Sequence, residues 1–162
     1  MAGWRKKDAT EPSAYQRALG LLVRREHSRK ELGRKLSAKG VERDDADLAL
    51  DKLNKQDFQN DARFAAALAR SRANSGYGPM RIRAELGTHA LSREDIAQAL
   101  EACDRDWYAS AHDIIARRYG NKDLGDPVLR RKAVDFLLRR GFDQKSAYAA
   151  VRSTPADEDF TG

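Results

Sequence analysis

One cysteine in 162 residues excludes an internal disulfide framework, and Cys103, at an apolar repeat position, reads as a small core side chain. The three histidines, His27, His89 and His112, are too scattered to suggest a metal site without a second cysteine. Aromatic residues make up only 7% of the chain against 35% charged residues, which argues against a single thick core. No apolar run approaches the roughly 20 residues that span a bilayer. The start, Met1-Ala2-Gly3-Trp4-Arg5-Lys6-Lys7, lacks the apolar stretch of a secretory signal, so the cytoplasm is the expected compartment. β-Branched runs are missing and proline is confined to Pro12, Pro79, Pro127 and Pro155, which leaves an all-α fold.

Signatures of catalysis are missing as well. There is no glycine-rich phosphate loop, no His-Glu-x-x-His and no nucleophile elbow. Gly76-Tyr77-Gly78-Pro79 is too short for a phosphate cradle and reads as a tight connector followed by a helix start. Asp44, Asp45 and Asp47 lack calcium-loop spacing and suit the first turn of a helix, where carboxylates favour the dipole. No catalytic residue, no cofactor and no metal is expected.

What the chain does have is a threefold repeat. Apolar anchors recur as Leu32, Ile82 and Ala133; Leu36, Leu86 and Leu137; Val41, Leu91 and Phe142; Ala46, Ile96 and Ala147; Leu50, Leu100 and Val151. The third set is spaced by 50 and 51 residues. The leading helices repeat too, as Leu21-Leu22-Val23-Arg24, Ala67-Leu68-Ala69-Arg70 and Ile114-Ile115-Ala116-Arg117. From that arginine to the following turn (Gly40, Ala90, Gly141) is 16, 20 and 24 residues, so the copies lengthen by four each time. Fixed-period similarity indicates stacked supersecondary units, because one unit cannot bury its apolar face alone.

The expected architecture is three tandem three-helix repeats forming an elongated, curved array. It comprises a flexible basic N-terminus (1–12), repeat 1 (13–57), repeat 2 (58–103), repeat 3 (104–152) and a flexible acidic tail (153–162). With helices about 8–10 Å apart, triplets stacked end to end span on the order of 60–75 Å. Local signals place the elements: Ser28 with Glu31 as a capping box, Gly40 and Gly141 as left-handed helix stops, and Asn60 as an N-cap. Ser92, Asp126-Pro127 and Asp143 open further helices. An extended array of this kind favours binding over catalysis.

Charge is unevenly placed along the chain, whose net charge is +6. Residues 1–40 hold 11 Lys and Arg against 4 Asp and Glu, whereas residues 41–60 hold 3 against 6. The second helices of repeats 1 and 3 are basic: Arg29, Lys30, Arg34, Lys35 and Lys39 in one, Arg130, Arg131, Lys132, Arg139 and Arg140 in the other. Repeat 2 is milder, with Arg81 and Arg83 against Glu85. At about 100° per residue, Lys30 and Arg34 point away from Leu32 and Leu36, into solvent. A basic face suits phosphates or an acidic protein groove, or is simply a solvated helix surface. Arg24, Arg70 and Arg117 read either as a repeated contact or as side chains serving helix C-termini. Trp107, Tyr108 and Phe64 read as packing residues, and Tyr77 as the exposed aromatic.

The run Ala18-x-x-Leu21-x-x-Arg24-x-x-x-Ser28-x-x-Glu31-Leu32-x-x-x-Leu36-x-x-Lys39-Gly40 resembles the opening of the bacterial RecX proteins. So do Asn60-Asp61-x-Arg63-Phe64-Ala65 with Arg70, then Gly78-Pro79-x-Arg81-Ile82-x-x-Glu85-Leu86, and the ending Leu138-Arg139-Arg140-Gly141-Phe142. Each motif is soft alone; their order and spacing are specific, and they cover most of residues 14–152. The chain departs from the family pattern at His27, where an aromatic is more typical, and at Ala90, which replaces a turn glycine. The resemblance implies a regulator of the RecA recombinase, active in recombination, DNA repair and the SOS response. Such a protein binds the RecA–single-stranded DNA filament along its groove and inhibits ATP hydrolysis and strand exchange. It implies a monomer, with DNA met through the filament and no membrane partner. Arg29, Lys30, Arg34, Lys35, Arg81, Arg130, Arg131, Lys132, Arg139 and Arg140 are the candidate contacts to filament or phosphate. The alternative reading is a sequence-independent nucleic-acid-binding module. Helix, Gly40 turn, helix is reminiscent of a helix-turn-helix, but the helix after that turn is acidic, which is wrong beside phosphates.

Overall fold

Short amphipathic segments punctuated by caps and left-handed stops become nine helices among the described residues, 11–152, of a computed structural model. In order they are α1 (Ala14–Arg24), α2 (Arg29–Ala38), α3 (Arg43–Lys55), α4 (Asp61–Asn74), α5 (Pro79–Gly87), α6 (Arg93–Ala102), α7 (Trp107–Tyr119), α8 (Pro127–Arg140) and α9 (Gln144–Arg152). No strand occurs among the described residues. The basic N-terminus and acidic tail expected from the sequence lie largely outside them, at 1–10 and 153–162.

The helix signals act where the sequence places them. Ser13 and Gln16 close a reciprocal capping box on α1. The side chains of Ser28, Asn60, Ser92 and Asp143 accept from the amides of Glu31, Arg63, Asp95 and Ser146. The Ser146 N–H holds the Asp143 carboxyl below its ordinary pKa. Gly40 and Gly141 adopt φ +81° and +98°. Ala90 occupies the equivalent turn at φ +55°, so the second repeat turns in the same left-handed way on a residue that disfavours it.

The chain divides into two compact units, Met1–Phe64 and Ala65–Gly162, the division falling inside α4. In the first, α1, α2 and α3 enclose Ala18, Leu32, Leu36, Ala46, Leu50 and Leu53. In the second, α4–α6 enclose Ala65, Ala69, Ala73, Ile82, Leu86, Ala99 and Leu100. There too, α7–α9 enclose a cluster that includes Ile115, Leu137 and Phe142. Each set of repeated anchors therefore lies in or against its own repeat's core. The buried side chains are mostly Ala and Leu, which fits thin helix–helix interfaces rather than one thick core.

Candidate partner-binding surface

In the first unit, the α1–α2 turn gathers charge inside the protein. Glu31 is buried, and its carboxylate accepts from Arg25 and from Lys35, whose Nζ lies 3.3 Å away. Burial alone would raise the Glu31 pKa; the hydrogen bonds from Arg25 and Lys35 outweigh it and bring the pKa to about 2. His27, 2% exposed, donates from Nδ1 to the Arg25 carbonyl at 3.0 Å and accepts at Nε2 from Lys35 at 3.2 Å. Burial lowers its pKa, so the ring is neutral and serves as acceptor for the lysine. Buried Gln59 donates to the His27 carbonyl and to Asp61, which also accepts the Arg29 amide. Arg63 reaches Glu26 at 2.6 Å and the carbonyls of Asp57 and Phe58. This polar network was hidden in the sequence, because Arg25, Gln59 and Asp61 belong to no repeated motif.

That network sorts the basic residues of α2. Arg29 pairs with Asp51 of α3 at 2.7 Å, and Lys35 is held by Glu31 and His27. Lys30 and Arg34 are exposed on the outer face, opposite Leu32 and Leu36, and Lys39 is exposed at the helix C-cap. Among the described residues Arg34 and Lys39 have no ion-pair partner.

In the second unit, the basic residues sort again. The connector Ser75-Gly76-Tyr77-Gly78 docks on the end of α8. The Gly78 amide donates to the Arg140 carbonyl at 2.7 Å and the Met80 amide to the Gly141 carbonyl at 3.0 Å. The unpaired amides at the start of α5 thus meet the unpaired carbonyls at the end of α8, with opposite dipole ends together. A Cβ on Gly78 would lie 2.5 Å from the Gly141 carbonyl, and one on Gly141 would lie 2.4 Å from the Arg81 Cβ. Arg81 and Arg140 lie 4.4 and 4.9 Å from the Tyr77 ring centroid, and Arg118 and Arg140 lie over Phe136. Arg81 also donates to the Arg139 carbonyl and Arg140 to the Ser75 carbonyl.

Three sequence readings change here. Gly76-Tyr77-Gly78-Pro79 is a docking element between repeats as well as a connector. Tyr77 is half-buried between arginines, while Tyr108, expected from the sequence to pack, is exposed at the first turn of α7 and joins Phe58 and Tyr148 as the exposed aromatics among the described residues. Phe64 and Trp107 do pack, Trp107 against the cores of both repeats in its unit. Cys103 is half-buried, its thiol donating to the Ala99 carbonyl, and burial pushes its pKa up.

On α8, Arg130 is half-buried and donates Nε to the Leu124 carbonyl at 3.0 Å, bracing the preceding loop. Arg131, Lys132 and Arg139 share the exposed face with Asp135, opposite buried Ala133, Val134 and Leu137. None of the three cations has an ion-pair partner among the described residues. Of the repeated arginines, Arg24 and Arg117 sit in last turns, Arg117 paired with Asp113 at 3.1 Å, whereas Arg70 lies further inside α4. The helix-end account therefore covers two of the three.

Nine helices in tandem triplets among the described residues, with outward cations on the second helix of the first and third, define an all-α helical-repeat protein. Family models described as the first, second and third three-helix domains of RecX match residues 14–53, 60–100 and 104–151. Regulatory protein RecX of Xanthomonas oryzae pv. oryzae is 57% identical over 145 residues, covering 90% of this chain and 91% of the relative. That of Stenotrophomonas maltophilia is 53% identical over 153 residues, covering 94% of each. A crystal structure of regulatory protein RecX superposes with TM-score 0.65 at 25% identity, over 82% of this chain and 67% of that one. RecX from Lactobacillus salivarius has the same fold, with TM-score 0.67 at 22% identity, over 86% and 92% of the two chains. The chain belongs to the RecX family of regulatory proteins. No helix among the described residues is long and apolar enough to cross a membrane.

Proposed function

We propose that the protein binds the RecA–single-stranded DNA filament along its helical groove and inhibits its ATP hydrolysis and strand exchange, without catalytic activity of its own. It acts as a monomer in the cytoplasm and meets DNA through the filament. Three repeat domains, at about 13–57, 58–103 and 104–152, present its contacts. The observation that carries this reading is family membership combined with outward cations, Arg34 on α2 and Arg131, Lys132 and Arg139 on α8, that have no ion-pair partner among the described residues. The packed helices already fix the backbone that carries these cations, so docking costs the freedom of the side chains alone, and several weak contacts on one chain add to useful affinity.

Arg34, Arg131, Lys132 and Arg139, with exposed Lys30, are the groups assigned to acidic filament surface or DNA phosphate. Arg29, Lys35, Arg81, Arg130 and Arg140 hold the fold in the shape that presents them. The test is RecA ATPase on single-stranded DNA with an Arg131→Glu/Lys132→Glu/Arg139→Glu variant, which spares Arg130. The concentration for half-inhibition should rise roughly tenfold or more, from exposed contacts worth up to about 1 kcal/mol each plus repulsion. Full inhibition by that folded variant would remove this face from the mechanism. A free-DNA module would instead bind single-stranded DNA tightly, with affinity falling steeply as salt rises. The exposed Asp44, Asp45, Asp47 and Asp51 of α3 weigh against it.

A further inference from the structure

A groove of about 620 Å³ runs between α1 and α2 in the first unit, apart from the cations assigned above. Its size is that of a ligand cleft (about 300–1,000 Å³). Leu21 and Leu36 give it an apolar floor, and Arg17, Arg24 and Lys39 stand along it. Lys35 also lines it but is held by Glu31. Among the described residues no carboxylate and no aromatic ring lines the groove, and Arg17, Arg24 and Lys39 have no ion-pair partner.

Gly20 forms part of the lining and marks the groove as more than a gap between helices. Glycine inside a helix is destabilising relative to alanine, so it normally has a local reason. Here packing supplies none, since a Cβ on Gly20 would meet nothing within 4 Å. What the missing side chain does is leave the groove open. Val23, three residues on along the same helix surface, is 80% exposed and extends the apolar strip past Gly20.

We infer that this groove docks an acidic peptide segment of a partner protein, with an apolar side chain seated over Gly20 and carboxylates on Arg17, Arg24 and Lys39. Charge complementarity selects the peptide: three cations stand unopposed along the groove. The apolar floor and the lack of a stacking ring select peptide over single-stranded nucleic acid, whose binding grooves pair cations with aromatic platforms. Carboxylates at the rim then steer and register the segment, while the seated side chain sets the lifetime of the complex.

The experiment is fluorescence anisotropy of a labelled peptide, Asp-Glu-Leu-Asp-Glu-Leu-Asp-Glu, titrated with the full chain at about 0.05 M salt, where surface charges are weakly screened. Saturable binding is expected, weakened roughly tenfold or more when both leucines become serine, since each loses most of its apolar burial. Gly20→Trp, which fills the groove, and the surface variant Arg24→Glu/Lys39→Glu should each weaken binding by a similar factor. Lys55→Glu, exposed on α3 and outside the groove lining, should leave it unchanged. Equal binding of the serine peptide, or unchanged binding by both groove variants with native circular dichroism, would overturn the inference. Displacement of the peptide by oligo-dT at lower concentration than by unlabelled peptide would overturn it too, giving the groove to nucleic acid. Because the readout contains no RecA, its failure is separable from failure of the filament reading.

Discussion

Glu31 and His27 make the first unit sensitive to acid from two sides. The folded-state pKa of Glu31, about 2, lies below its ordinary value of 4.5, so its contribution is complete above about 4.5 and fades as pH falls toward 2. The coupling is of order 2–3 kcal/mol, and Glu31→Gln, which leaves Arg25 and Lys35 facing a neutral amide, should destabilise the chain by that amount in urea melts at pH 7. His27 titrates below its ordinary 6.5 in the folded protein, so the unfolded chain takes up the proton first and stability falls as pH drops below 6.5. In His27→Phe the fall in stability between pH 7 and 5 should be smaller than in the parent; an identical pH profile would show that the imidazole is not the group involved. At the second turn, Ala90 at φ +55° predicts that Ala90→Gly raises stability by about 0.5–1 kcal/mol, read as an increase in Tm. That position was legible by aligning the repeats with Gly40 and Gly141. The place of the Glu31 carboxylate was not, because Arg25 and His27 lie in a turn with no periodicity to read.

Among elements, the junction of α5 with the end of α8 carries the sharpest test, since two glycines in this chain should respond oppositely to one methyl group. Gly78→Ala puts a Cβ 2.5 Å from backbone atoms that cannot rotate away, breaking the Gly78–Arg140 and Met80–Gly141 hydrogen bonds. It should cost about 2–4 kcal/mol, through overpacking and lost backbone pairing. Gly20→Ala meets nothing and should gain up to about 1 kcal/mol of helix propensity. Urea unfolding of the pair checks both signs; a neutral Gly78→Ala would mean the two turns do not interlock. Helix boundaries and caps could be read from the sequence because each is a local bargain between a side chain and nearby amides. The meeting of Gly78 with Gly141 could not, since turns in two repeats come together only through tertiary packing. Tyr77 was misread for the same reason: its arginine neighbours include one from another repeat.

For the whole molecule, the threefold organisation and the family were legible because they rest on order and spacing over most of the chain. The choice among basic residues was not. It depends on which acid a neighbouring helix presents, as Asp51 does to Arg29, and on which carbonyl lies within reach, as that of Leu124 does for Arg130. Surface cations acting on a charged partner also predict that inhibition weakens as salt rises from about 0.05 to 0.3 M, because the Debye length falls to roughly 40% of its starting value. The most direct measurement of the central claim is ATP hydrolysis by RecA on single-stranded DNA, titrated with the full chain and with Arg131→Glu/Lys132→Glu/Arg139→Glu. The account predicts saturable inhibition by the parent chain and a titration displaced to higher concentration for the folded variant. Hydrolysis unchanged at any concentration of the parent chain would contradict it.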